Sequence, residues 1–212
     1  MDAEIGTLPP RLASRAVGVL TRAFDQDPIL TYYLGRGPRR AAAYRMFFAD
    51  IVQSSLPYGH VYGATADTRL LGVAVWKPPD PPAGSPRTRA SSALRELVVR
   101  ALYPRAAREL FGGFANLEPL HPSVPHWYLM FVGIDVGLQG VGLQGQGIGS
   151  RLLAPVLQRA DADATLCYLE TPFRRTHVFY QRLGFEFASE SHPFPGAPPL
   201  WTMIRPSAKD SD

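Results

Sequence analysis

The chain has 212 residues, 46% of them hydrophobic and 19% charged, which suits one globular unit and excludes a disordered chain. Lys and Arg number 22 against 18 Asp and Glu, and the net charge of +4 suits an anionic ligand but falls short of the dense basic stripe of a nucleic-acid binder. The single cysteine, Cys167, excludes an intramolecular disulfide and points to a cytoplasmic address; neither a secretory signal nor a membrane span is expected from the residue pattern.

Residues 11–24 place Leu12, Ala16, Val19, Leu20, Ala23 and Phe24 on one helical face, and the segment DQDP at 25–28 ends it. A second helix is predicted over 38–56, with Tyr44, Phe47, Phe48, Ile51 and Val52 inward. Two short strands follow at 60–64 and 70–77, around a turn at Asp67 and Thr68. A proline-rich connector at 78–87 precedes two further helical patterns, one carrying Leu94, Leu97 and Leu102, the other Leu110, Phe111 and Phe114. Residues 127–135 form the strongest strand pattern, an apolar run nearly unbroken and so expected to be covered on both faces. A helix at 148–160 contains Pro155, which should kink it or end its ladder early. A strand at 165–170, a helix at 174–183 and strands at 185–188 and 200–204 complete a mixed α/β pattern. Trp76 and Trp201 are expected in the core, and Cys167 as buried filler.

The segment 137–150, GLQGVGLQGQGIGS, lies between the strongest strand and a helix. Glycines there let the backbone approach a phosphate, and the helix start supplies unpaired N–H groups and the positive end of the dipole. A Walker loop needs a lysine that Ile148-Gly149-Ser150 lacks, and a dinucleotide-binding turn needs glycine where Ser150 stands. What fits is Gln-x-x-Gly-x-Gly, read as Gln144, Gly147 and Gly149.

That pattern resembles the acyl-coenzyme A pyrophosphate loop of the GNAT N-acetyltransferase superfamily, and Phe179-Tyr180 through Gly184-Phe185 resembles the family's FYxxxGF element. The combined likeness covers about 126–187. Residues 125–129, 169–171 and 200–203 look like the puromycin N-acetyltransferase-type branch, in which acceptor amines differ. The resemblance implies an α/β fold of the GNAT acyl-CoA N-acyltransferase type, with a mixed central sheet flanked by helices. It implies a single domain over 1–212, with the acceptor side in 1–56 and the acetyl-CoA core in 126–187.

Acetyl-CoA is the implied cosubstrate. The implied cofactor contacts are the strand backbone of Val132, Gly133 and Ile134, then Gln144, Gly145, Gln146 and Gly147, then Ile148, Gly149 and Ser150 at the helix start. Phe179 and Thr176 complete the set, Thr176 standing where the family often has an asparagine. The loop also holds a tandem repeat, 137–141 followed by 142–146, so five extra residues are expected beside the pyrophosphate.

Transfer to an amine needs a proton donor for the departing thiolate and a base for the amine. Tyr180 is the acid by resemblance, and Glu170, at the carboxyl end of a strand, is the leading base; His121, His126 and Asp135 are weaker candidates. Asp27, Tyr32 and Tyr33, with Asp25 nearby, suit a cationic amine acceptor. No metal-ligand spacing links the five histidines and the cysteine. The expected activity is acetyl transfer to a small-molecule amine, with an antibiotic or other xenobiotic as the subclass the likeness implies. A protein or peptide acceptor, and an acyl-CoA-binding module without turnover, stand as alternatives. The expected partner is the small amine, without nucleic acid or membrane, and the expected state is a monomer or homodimer.

Overall fold

The computed structural model describes residues 3–34, 38–80, 97, 100–101, 116–135, 147–192 and 196–207. The tandem repeat and most of the two helical patterns between 94 and 114 lie outside the described residues. Seven strands form one mixed sheet in the order β1-β2-β3-β4-β5-β7-β6. They are β1 (Glu4–Thr7), β2 (Val61–Ala66), β3 (Arg69–Lys77), β4 (His126–Ile134), β5 (Leu166–Thr171), β6 (Glu186–Ser191) and β7 (Leu200–Arg205). Only β4 and β5 pair in parallel.

Each face of the sheet has its own core. On one face lies α4 (Ile148–Ala162), with Leu152, Leu153, Val156 and Ala160 fully buried against Trp127, Leu129, Cys167 and Leu169. On the other lie α1 (Ala13–Ala23) and α3 (Pro38–Ser55), where Leu20, Tyr44, Phe48 and Val52 meet Val73 and Val75. Each such aliphatic or aromatic side chain removed from water stabilises the fold by roughly 1.5–3 kcal/mol.

Four expectations need correction. Residues 28–34, read as part of a connector, form a short helix, α2 (Pro28–Leu34), because Pro28 suits a helix start and Asp27 caps it. Helix α4 runs through Pro155 to Ala162, held by the apolar stripe either side of the proline. The helix expected over 174–183 is a 3-10 turn, Arg174–Thr176, followed by a single short helix, α5 (His177–Gln181). Trp201 is half-buried on β7, where its Nε1 donates to Glu190 Oε2 at 2.8 Å, because the edge strand β6 beside it is almost wholly exposed. Strand β1 adds an edge that no periodicity announced, its four residues pairing with Tyr62–Thr65.

Candidate active site

The site is built on a fork between β4 and β5. The two strands pair from His126↔Leu166 to Leu129↔Leu169 and then separate, so β4 continues from Met130 to Ile134 beside β3 alone. A bulge drives the separation: Trp76 faces Leu129 and Val75 faces Phe131, leaving Met130 as the extra residue. Asp135 N–H donates to Leu71 C=O at 2.8 Å, which sets the phase of the ladder. Gly133 therefore addresses β3, while the backbone groups of Val132 and Ile134 point into the fork. Gly133 also faces α1 closely, since a Cβ there would stand 2.8 Å from the Ala23 Cβ.

Beyond the fork, α4 begins at Gly147, whose φ of 68° and ψ of 17° lie in the left-handed region. Among the described residues no side chain caps this start, and the first N–H groups of Ile148, Gly149 and Ser150 have the orientation that an anion needs. Gly149 has a packing reason: a Cβ there would stand 3.2 Å from the Phe179 ring, which backs the first turn. Gln144, Gly145 and Gln146 lie outside the described residues.

Side-chain alternation puts the candidate acid and base on opposite faces of the fork. Tyr180 belongs to the α4-side core with Leu129 and Leu169; its ring lies 5.1 Å from Phe179 and 5.9 Å from Phe185. Burial pushes its phenol well above the ordinary tyrosine value, so it stays protonated at neutral pH. Tyr128, Tyr168 and Glu170 share the opposite parity. The Glu170 side chain is only 6% exposed, and its Oε1 lies 3.4 Å from His121 Nε2.

His121, His126, Tyr128 and Tyr168 form one aromatic cluster around that carboxylate. The His121 ring is 4.6 Å from Tyr128 and 4.5 Å from Tyr168. Burial, then the Glu170 charge, raises both phenols far above their ordinary value. Tyr168 Oη and Glu170 Oε1 are buried without a hydrogen-bond partner among the described residues. His121 Nδ1 lies 3.0 Å from His126 Nε2, and His126 Nδ1 lies 2.8 Å from the Val124 carbonyl. Both histidines and Tyr128 line an outer cavity of about 400 Å³ with Lys77, Glu118 and Ser123.

A second cavity, of about 770 Å³, is lined by Asp25, Thr31 and Tyr32 on the helical side and by Gly196 and Pro198 on the other. Asp27 is buried and its Oδ1 accepts the Leu30 N–H at 2.8 Å, so its carboxylate caps α2. The side chain of Tyr33 lies outside the described residues. Asp135 receives a bidentate ion pair from Arg22, at 2.8 and 3.1 Å, which ties α1 to the end of β4.

Thr176 sits in a closed ring of hydrogen bonds. Its hydroxyl donates to Phe173 C=O at 2.7 Å, Thr171 donates to Thr176 Oγ1 at 3.0 Å, and Phe173 N–H donates to Thr171 Oγ1 at 3.2 Å. The ring shapes the turn directly after Glu170.

The linkage of Glu170 to the two histidines is absent from a reading of single residues. The shared parity of Tyr128 with Tyr168 and Glu170 would have signalled it, had the parallel register been known.

Residues 113–187 match the family model described as an acetyltransferase (GNAT) domain. Among solved structures, the chain is similar to an acetyltransferase of Corynebacterium glutamicum named with histone acetyltransferase HPA2 (23% identity, 98% of each chain covered, TM-score 0.71). It is also similar to arylalkylamine N-acetyltransferase 2 of Aedes aegypti (12% identity, 97% of this chain and 99% of that one, TM-score 0.65). A third likeness is to the polyamine N-acetyltransferase of Drosophila melanogaster, which forms N-acetylagmatine (17% identity, 96% of this chain and 99% of that one, TM-score 0.57). The chain has the GNAT fold, and residues 113–187 are the part that matches the acetyltransferase (GNAT) domain model.

Proposed function

We propose that the chain transfers the acetyl group of acetyl-CoA directly to the primary amine of a small molecule. The observation that carries this reading is the fork, with free strand edge between its arms, a protonated phenol on one face and a buried carboxylate on the other. The residues fit the cosubstrate. Val132 and Ile134 offer backbone groups that would hold the pantetheine amides as an added strand. The N–H groups from Gly147 to Ser150, with Gln144, Gly145 and Gln146 before them, would hold the pyrophosphate. Acetyl-CoA supplies the thioester carbonyl that the amine attacks.

Glu170 takes the proton that the amine nitrogen loses as the new C–N bond forms. Tyr180 gives its proton to the sulfur, which leaves with the electron pair of the broken C–S bond. The acceptor enters by the larger cavity, where Asp25 and Tyr32 suit a cationic amine and Asp27 fixes the helix that presents Tyr32. A volume of about 770 Å³ suits a small molecule. The named activities of the polyamine and arylalkylamine acetyltransferases with this fold support the same acceptor class. The finer branch we infer is the puromycin N-acetyltransferase type, and the cytoplasm, which supplies acetyl-CoA, is the compartment we infer. Incubation with acetyl-CoA and a panel of small amines tests the reading: amine-dependent thiol release supports it. Cofactor binding without turnover on any amine would favour a binding module instead.

A further inference from the structure

We propose that Glu170, His121 and His126 form a proton-release chain that carries the amine's proton from the buried carboxylate to the outer cavity that both histidines line. The proposal rests on the acetyl-transfer reading. An ammonium becoming a secondary amide loses two protons. Tyr180 supplies the sulfur's proton from the opposite face and regains one from solvent, so the protons that the amine gives to Glu170 must themselves reach solvent. Glu170 is nearly sealed off, its side chain only 6% exposed.

The heavy atoms define three links: Glu170 Oε1 to His121 Nε2 at 3.4 Å, His121 Nδ1 to His126 Nε2 at 3.0 Å, and His126 Nδ1 to Val124 O at 2.8 Å. The first is a close approach and not yet a hydrogen bond, since Glu170 Oε1 has no hydrogen-bond partner among the described residues, and substrate binding would have to tighten it. A carbonyl can only accept, so His126 carries its proton on Nδ1. Two neutral rings and a carboxylate then have two protons for three links. Either His121 leaves lone pairs facing each other between the rings, or it turns its own lone pair toward the Glu170 oxygen. One added proton fills every link. That proton can rest on Glu170, on His121 as an imidazolium, or on His126, without any heavy atom moving. The chain one proton short is the base, and the filled chain is its product.

The surroundings favour passage outward. Burial holds His126 below the usual imidazole value, with the Val124 carbonyl opposing. It therefore gives its Nδ1 proton to water in the outer cavity, which breaks the bond to Val124, and a turn of the ring then restores the Nδ1–H tautomer. The groups facing the chain are Tyr128 on β4 and Tyr168 on β5, both held protonated, with Lys77 on β3 and Glu118 at the outer cavity. Among the described residues the two cavities share none of their lining.

The test has a spectroscopic arm and a kinetic arm. In the full chain labelled with 15N-histidine, long-range 15N–1H spectra from pH 5 to 9 should show His126 in the Nδ1–H tautomer. The ring 15N signals of both His121 and His126 should move when Glu170 is changed to Gln, since the three groups share one set of protons. An Nε2–H tautomer at His126, or His121 and His126 signals indifferent to Glu170→Gln, overturns the chain.

With tyramine and agmatine as acceptors, His121→Ala and the bulkier His121→Gln should each lower kcat about tenfold or more, with KM for acetyl-CoA unchanged. Imidazole, small enough for the outer cavity, should restore part of the loss in His121→Ala but none in Glu170→Gln. Undiminished kcat in both His121 variants overturns the chain while leaving acetyl transfer intact. A wild-type protein that acetylates neither amine overturns the acetyl-transfer premise for these acceptors, and the spectra still decide the geometry.

Discussion

Glu170 and Tyr180 stand on opposite faces of the sheet at the point where β4 leaves β5, the carboxylate against His121 and the phenol within the core beneath α4. The arrangement follows from alternation. Leu169 and Glu170 are consecutive on β5, so when Leu169 packs toward Tyr180, Glu170 must face the other way. In acyl transfer the amine adds to one face of the carbonyl and the thiolate leaves at a tetrahedral angle to it, so each needs its own proton-handling group, and the fork offers one on each face.

Replacing Tyr180 by Phe should lower kcat about a hundredfold or more while the dissociation constant for acetyl-CoA changes little, measured by steady-state kinetics and calorimetry. The phenol is raised by burial, so the wild-type rate should show no alkaline decline from loss of this proton up to about pH 9. Full retained turnover in Tyr180→Phe would remove it as the acid.

Glu170→Gln keeps the shape of the side chain and removes its charge. It should lower kcat by about a hundredfold or more, and the tyrosine-ringed carboxylate cannot then fill its place in the proton chain. Undiminished kcat in the variant would assign the base to another group.

Gly133 and Gly147 separate folding from binding. A Cβ at Gly133 would meet the Ala23 Cβ at 2.8 Å, and neither atom can swing aside. Gly133→Ala should therefore destabilise by about 1–3 kcal/mol in urea unfolding. Nothing lies within 4 Å of a Cβ at Gly147, but its φ of 68° strains any L side chain. Gly147→Ala should cost about 1–2 kcal/mol of stability and weaken acetyl-CoA binding, because the helix start turns with it.

The ring joining Thr171, Phe173 and Thr176 fixes the turn that follows Glu170. Thr176→Val removes one donor and leaves two groups unpartnered, so a loss of about 1–3 kcal/mol is expected in thermal unfolding. Thr176→Ser, which keeps the hydroxyl, should recover most of it.

Alkaline stability should report Cys167. Burial pushes its thiol up to about 12, whereas an unfolded thiol ionises near about 8.5. A group raised on folding contributes stability that is whole below the unfolded value and is lost as pH rises toward the folded one. From about pH 8.5 to 12 the loss approaches about 1.4 kcal/mol per pH unit, joined above about pH 10 by the buried tyrosines. Cys167→Ala should flatten the first part of that slope in urea titrations at pH 8 to 10.

Much of the fold was legible because its signals are periodic. The faces of α1, α3 and α4 and the apolar run of β4 emerge at the predicted places. What escaped were features set by contacts between distant segments. Strand β1 is four residues that pair only because β2 offers an edge, and α2 depends on one capping carboxylate. Pro155 reads as a helix breaker, yet Leu152, Leu153, Val156 and Leu157 bury enough surface to carry the helix past it. At the site, individual residues were legible and their linkage was not. His121 lies in a loop and His126 five positions on at the start of β4, and nothing local says that their rings meet at 3.0 Å or that His121 reaches Glu170 on β5.

The most direct test of the central claim is amine-dependent release of coenzyme A thiol, measured beside the acetylated product by mass spectrometry, for the wild type, Glu170→Gln and Tyr180→Phe. The account predicts one thiol and one N-acetyl product per turnover with at least one small primary amine, and a sharp fall in both variants. Acetyl-CoA binding with no amine-dependent thiol release across the panel, or equal rates in all three proteins, would contradict it.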